Sequence, residues 1–196
     1  MPRLTADELD AARKRTIPDV LPGPGNPPLS VLFCGINPGL VSAATGHHFA
    51  RPGNRFWPAL FASGFTDRLL SPFDELELLQ AGYGVTNVVM RASATANELT
   101  REELLTGGKR LVTKVKRYEP AFLAILGLGA YRTAWSDPKA VIGRQGTQIG
   151  DTVIWVLPNP SGLNAHYQAS ALAEVFRELH VAVKQKCRGG RRGISG

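Results

Sequence analysis

The sequence predicts a three-layer α/β/α sandwich around a central, mostly parallel β-sheet. Two observations carry this expectation. Apolar runs at 31–34, 121–126 and 153–157 are too short for buried helices, and they read as strands covered on both faces. Stretches of helical period fall between them, and strands alternating with helices are the signature of a sheet flanked by two helical layers.

Taken in order, residues 5–15 read as a short amphipathic helix, with Thr5 and Glu8 spaced as a capping box. Residues 21–28 form a Pro/Gly lead-in lying on the surface. The first strand stops at Gly35-Ile36-Asn37-Pro38-Gly39. Residues 40–53 then show no period, and read as a binding loop or a poorly ordered connection. A helix opens at Asn54, with Phe56, Trp57, Leu60 and Phe61 on one core-facing stripe. Ser71-Pro72-Phe73-Asp74 carries a capping Ser and Pro at the first helical position, so it starts a helix that ends near Gly82. Residues 85–89 give a second strand. Thr100 caps a helix running to about Tyr118, which Gly107-Gly108 should weaken or kink. Beyond strand 121–126 come a short helix over 130–135, a glycine-rich connection over 138–151 with a weak hairpin as one option, and strand 153–157. Leu172, Val175, Phe176, Leu179 and Val183 mark a long amphipathic helix. The expected division is a helix and lead-in over 1–28, one folded domain over 29–185, and a basic flexible tail over 186–196.

Composition narrows the function classes. Two cysteines, Cys34 and Cys187, make no disulfide framework, and four histidines lack ligand spacing, so neither a metal nor any other cofactor is expected. No apolar stretch is long enough to cross a membrane, and no basic-then-apolar signal follows Met1, so a cytoplasmic protein without membrane association is expected. A net charge of +7 points to a polyanionic partner, most simply nucleic acid, although Lys184, Lys186, Arg188, Arg191 and Arg192 concentrate much of it after the last helical pattern.

Two turns of the same grammar carry the chemistry. The first is Asn37-Pro38-Gly39, and the second is Pro158-Asn159-Pro160-Ser161-Gly162-Leu163-Asn164. Proline fixes its own φ and biases the preceding asparagine toward extended backbone, so each carboxamide sits on a constrained corner after a strand. In an open α/β sheet the carboxyl ends of neighbouring strands face one crevice, where ligands bind. Rival motifs fail. Gly127-Leu128-Gly129 lacks the third glycine of a dinucleotide site, because Arg132 stands there, and no acidic ribose ligand follows at a plausible distance. Gly107-Gly108-Lys109 is followed by Arg110, not Ser or Thr, and there is no Gly-x-Ser-x-Gly elbow.

Gly35-Ile36-Asn37-Pro38-Gly39, Gly53-Asn54-Arg55-Phe56-Trp57 and Asn159-Pro160-Ser161-Gly162-Leu163-Asn164, in this order, resemble the mismatch-specific uracil-DNA glycosylases of the thymine/uracil-DNA glycosylase family. The resemblance spans about 31–179, and the fold it implies is the same sandwich. It implies a monofunctional, monomeric hydrolase that excises uracil and related damaged pyrimidines opposite guanine in double-stranded DNA, the first step of base excision repair. By resemblance, Asn37 positions the attacking water, and the backbone at Ile36 and the ring of Phe49 hold the extruded base. Ser42 lies near that pocket and Asn159 completes its floor. Gly162, Leu163 and Asn164 form the intercalation loop, with Leu163 filling the vacated stack and the surrounding backbone reading the widowed guanine. No lysine in either Asn-Pro motif offers a Schiff base, which argues against a lyase. Two departures stand out: Met90 occupies a position often acidic in relatives, and Asn87 one that varies between Lys and Asn. A catalytically weak or silent DNA-damage binder and a nucleoside or nucleotide hydrolase are the alternative readings.

Overall fold

The computed structural model describes residues 4–191. Five strands form one sheet: β1 (Val31–Gly35), β2 (Tyr83–Asn87), β3 (Phe122–Leu126), β4 (Gly143–Ile149) and β5 (Thr152–Leu157), in the order β2-β1-β3-β5-β4. Four are parallel, and the edge strand β4 runs antiparallel against β5. The sandwich predicted from alternating strands and helices is therefore present. Among the described residues six α-helices accompany it: α1 (Ala6–Ala11), α2 (Leu40–Thr45), α3 (Phe56–Ala62), α4 (Arg101–Tyr118), α5 (Leu128–Ala134) and α6 (Ala169–Arg191).

Alternation along the strands divides the core into two layers. Val31, Phe33, Ala124 and Leu157 face α3 and α6, where Phe33 meets Phe56 edge-on at 5.5 Å and stacks with Phe176 at 6.4 Å. On the other face Leu32, Ile125 and Val156 pack under α4 and α5 through Leu111, Val115 and Tyr131. Cys34 belongs to this second layer, and burial pushes its thiol up, away from the reactive thiolate.

Several elements differ from expectation. The segment 40–53 opens with a helix that was not expected, α2, ended by Gly46 in the left-handed conformation at φ 80°, and stays irregular over 47–53. Six residues are too few to display a period. The Ser71 cap forms, but the helix it opens, Pro72–Ala81, is of the 3-10 type and closes at Gly82. Phe61 leaves the apolar stripe and is 45% exposed. The expected weak hairpin over 138–151 is a full edge strand, β4, whose polar residues face solvent on an antiparallel edge. Strands β1 and β5 are not neighbours, because β3 lies between them. Helix α6 runs to Arg191, into the segment expected as a tail from 186, and 192–196 lie outside the described residues.

Gly107 and Gly108 do not break α4. A Cβ at Gly107 would come within 2.3 Å of the Val88 carbonyl, and one at Gly108 within 3.0 Å of the Ala134 carbonyl. The pair lets α4 lie directly against the chain leaving β2 and against the end of α5.

Candidate active site

Register aligns the carboxyl ends of the parallel strands. Gly35 pairs with Asn87, and Leu126 with Leu157, so four strand ends stand along one edge of the sheet. From β1 the sheet extends to β2 on one side and to β3 on the other, and a crevice opens where the order reverses. It is a cavity of about 610 Å³. Both Asn-Pro corners reach it despite the intervening strand: Asn37 and Asn159 line it together with Ile36, Ser42 and Phe49, and Leu163 and Asn164 stand at its wall. Gly162 is one step removed, pressed against Gly53 so closely that a Cβ would meet the Gly53 carbonyl at 2.5 Å.

The carboxamide of Asn37 has one possible orientation. Its Nδ2 donates to the Ser93 hydroxyl at 2.7 Å and to the Arg91 and Pro38 carbonyls at 3.0 and 3.2 Å. Carbonyls only accept, so nitrogen must face them, and Oδ1 is left with no protein donor among the described residues. Ser93 is itself held, donating to the Thr95 carbonyl at 2.6 Å while its backbone N–H reaches the Pro38 carbonyl. Arg91 is braced through a two-pronged bond to Glu103 at 2.6 and 3.0 Å, and its guanidinium holds the Glu103 carboxyl down to about 2, helped by the Thr100 backbone N–H. Arg51 is the only charged side chain lining the cavity among the described residues, and no carboxylate does so. The site therefore offers an oriented carboxamide oxygen and no proton-accepting carboxylate.

Phe49 stands in the left-handed region at φ 54°, an uncommon conformation for a side-chain-bearing residue. Its ring stacks on Phe56 at 4.0 Å, which fixes the plane and covers one face. The preceding residues are tied to the buried Glu75, whose carboxylate accepts from the His47 ring at 3.0 Å and from the His48 backbone N–H at 2.8 Å. Ser42 is buried, and its hydroxyl accepts from the Ala50 N–H at 3.1 Å, so it shapes the far side of the same turn.

Behind the ring, His48 Nε2 lies 3.0 Å from the Pro18 carbonyl. Facing an acceptor, it carries the hydrogen, which leaves Nδ1 as the acceptor for Asn87 Nδ2 in a long 3.4 Å contact. Burial lowers the His48 pKa, favouring this neutral form. Asn87 is turned by this contact so that Oδ1 lies toward Gly35, where any Cβ would be 2.5 Å away. Glycine at the end of β1 is thus required by an approaching side chain and not by its own backbone conformation.

Asn159 does two things at this corner. It lines the cavity, and its Oδ1 accepts from the Ser161 N–H at 3.0 Å. Asn164 returns its side-chain amide to the Asn159 carbonyl at 2.9 Å, and Leu163 is left 70% exposed at the tip. Sequence reasoning missed Ser93, Glu75 and His48. Ser93 carries no motif; Glu75 and His48 act through partners far apart in the chain, and the adjacent histidines signal only a metal that their spacing excludes.

The family described as Uracil DNA glycosylase superfamily matches residues 22–180, covering β1 to β5, both Asn-Pro corners and the start of α6.

Proposed function

The chain belongs to the uracil DNA glycosylase superfamily, whose members hydrolyse N-glycosidic bonds in DNA, and on that premise we propose that it is a mismatch-specific uracil-DNA glycosylase, removing uracil and related pyrimidines opposite guanine. A base inside a duplex cannot be reached by the cavity, so the nucleotide turns out of the stack, at a cost lowest for mispaired bases. Leu163, exposed at the tip of its loop, fills the gap. The extruded base lies against Phe49, whose other face is backed by Phe56. Asn37 Oδ1 accepts a hydrogen from water and holds the oxygen in line with the anomeric carbon. The C–N bond breaks as the C–O bond forms, the base leaves with the bonding pair, and the water's proton passes to solvent.

The observation that carries this reading is the locked carboxamide of Asn37, whose nitrogen is committed to Arg91 and Ser93 and whose oxygen is left for a ligand. A carboxamide orients water but cannot take its proton, and a general base would contribute about 10²–10⁴-fold. Turnover is therefore slow and depends on targets that flip easily. The test is a labelled duplex bearing one G:U pair, treated with alkali after incubation. Strand breaks at the uracil are expected, and Asn37→Ala, by losing the oriented water, should reduce their rate by about 10²-fold while binding to the duplex persists. Retention of the duplex without cleavage, breakdown of free nucleosides alone, or full activity in Asn37→Ala would each overturn the proposal.

A further inference from the structure

The loop that carries Leu163 makes few buried contacts, and residues 162–169 are exposed or half-buried throughout. One side chain from another element spans it. Arg55, at the start of α3, sends Nη1 to the Tyr167 and Asn164 carbonyls at 2.7 and 3.0 Å, and Nη2 to the Gly162 carbonyl at 3.3 Å. Its backbone N–H reaches the Pro160 carbonyl at 2.8 Å. The same two segments touch where Gly162 meets Gly53. Arg55 therefore grips the loop on both sides of Leu163.

We propose that Arg55 is the positioning residue for the wedge: its guanidinium presets the loop carrying Leu163 and, through the Gly162 and Asn164 carbonyls, the preference for guanine in the opposite strand. This rests on the glycosylase reading above. A guanidinium fork is planar and fixed, so three carbonyls bound to it lose their freedom together, whereas a lysine ammonium would hold them as a point charge. A carbonyl oxygen has two lone pairs, and Arg55 occupies one on each. The second remains for a donor, and guanine, unlike adenine, presents two adjacent donor groups, N1–H and N2–H, on its pairing edge. A loop preformed in this way reaches the duplex without the entropy cost of ordering itself at the moment of insertion.

Five proteins test the assignment: wild type, Arg55→Met, Arg55→Lys, Leu163→Ala and the Arg55→Met/Leu163→Ala double variant, each assayed by single-turnover excision from G:U and A:U duplexes. Arg55→Met is expected to slow excision from G:U by roughly 10- to 100-fold, with a smaller loss on A:U. In the Leu163→Ala background the same change should cost A:U excision less than about 3-fold, because residues acting as a unit are not additive, while the additional loss on G:U persists. Arg55→Lys keeps the charge and should not restore the G:U preference. Multiplicative losses on A:U in the double variant, or full rescue by Arg55→Lys with a steeper salt dependence than Arg55→Met, would make Arg55 a phosphate contact and overturn the proposal. Amide hydrogen exchange provides a readout free of activity: Arg55→Met should speed exchange over 161–168 and leave 37–45 unchanged. Unchanged exchange over 161–168 would sink the proposal even with an active enzyme, whereas faster exchange in a protein whose wild type cleaves nothing would sink only the glycosylase reading.

Discussion

A single amide orientation decides what Asn37 can do. Three acceptors surround its nitrogen, the Pro38 and Arg91 carbonyls and a Ser93 hydroxyl whose own hydrogen is given to Thr95. This makes the site specific for an amide in a way that the motif alone does not reveal. Replacing Asn37 with Asp would supply a proton acceptor, yet would set carboxylate oxygen against carbonyl lone pairs and raise that carboxyl's pKa. Asn37→Asp should therefore excise uracil no faster than wild type at pH 7.5. Its activity relative to wild type should rise as pH falls and the protonated carboxyl donates where the amide did. A variant faster than wild type at neutral pH would show that the Arg91 and Ser93 contacts do not govern the side chain. The same logic of neighbours explains Gly35, which is kept free of a Cβ by Asn87 and by the Phe49 ring.

Among the elements, the glycines of α4 show why propensity alone misleads. A glycine-to-alanine change inside a helix gains about 1 kcal/mol from propensity, and forcing a methyl into a packed contact costs about 1–3 kcal/mol. At Gly107 the contact is a backbone carbonyl at 2.3 Å, so the cost wins. Gly107→Ala is expected to destabilise the protein by up to about 2 kcal/mol. Gly129 in α5 has nothing within 4 Å of its would-be Cβ, and Gly129→Ala should stabilise by about 0.5–1 kcal/mol. Urea midpoints for the two variants should shift in opposite directions; parallel shifts would refute the packing argument. Strands β1, β3 and β5 and the capped helix α4 were legible because each arises from local rules: a short apolar run, or Thr100 with Glu103 three residues on. The short helix α2 and the edge strand β4 were not, since one is too short to show a period and the other is mostly polar.

At the scale of the whole molecule, His48 and His180 couple folding to pH. Burial lowers both pKa values, so each must stay neutral to be accommodated, His48 between Pro18 and Asn87 and His180 against the Ser63 carbonyl at 2.9 Å. The unfolded chain binds these protons more readily, which fixes the sign. Their contribution is complete above the unfolded imidazole value of about 6.5 and is lost as pH falls from there toward the lowered folded values. Melting temperature should fall between pH 7 and pH 5, and His48→Gln should flatten part of the slope; a curve level across that window would remove both histidines from the account. What the sequence alone determined is the class of fold and the identity of the two asparagine corners, because strand period, capping and proline-bound turns are properties of neighbouring residues. Only the tertiary structure decided that β3 lies between the two corner-bearing strands, which way the Asn37 amide faces, and that Arg55 spans the loop of Leu163. Those facts belong to atoms brought together across 54 or more residues of chain, and separation along the chain leaves no local pattern to read.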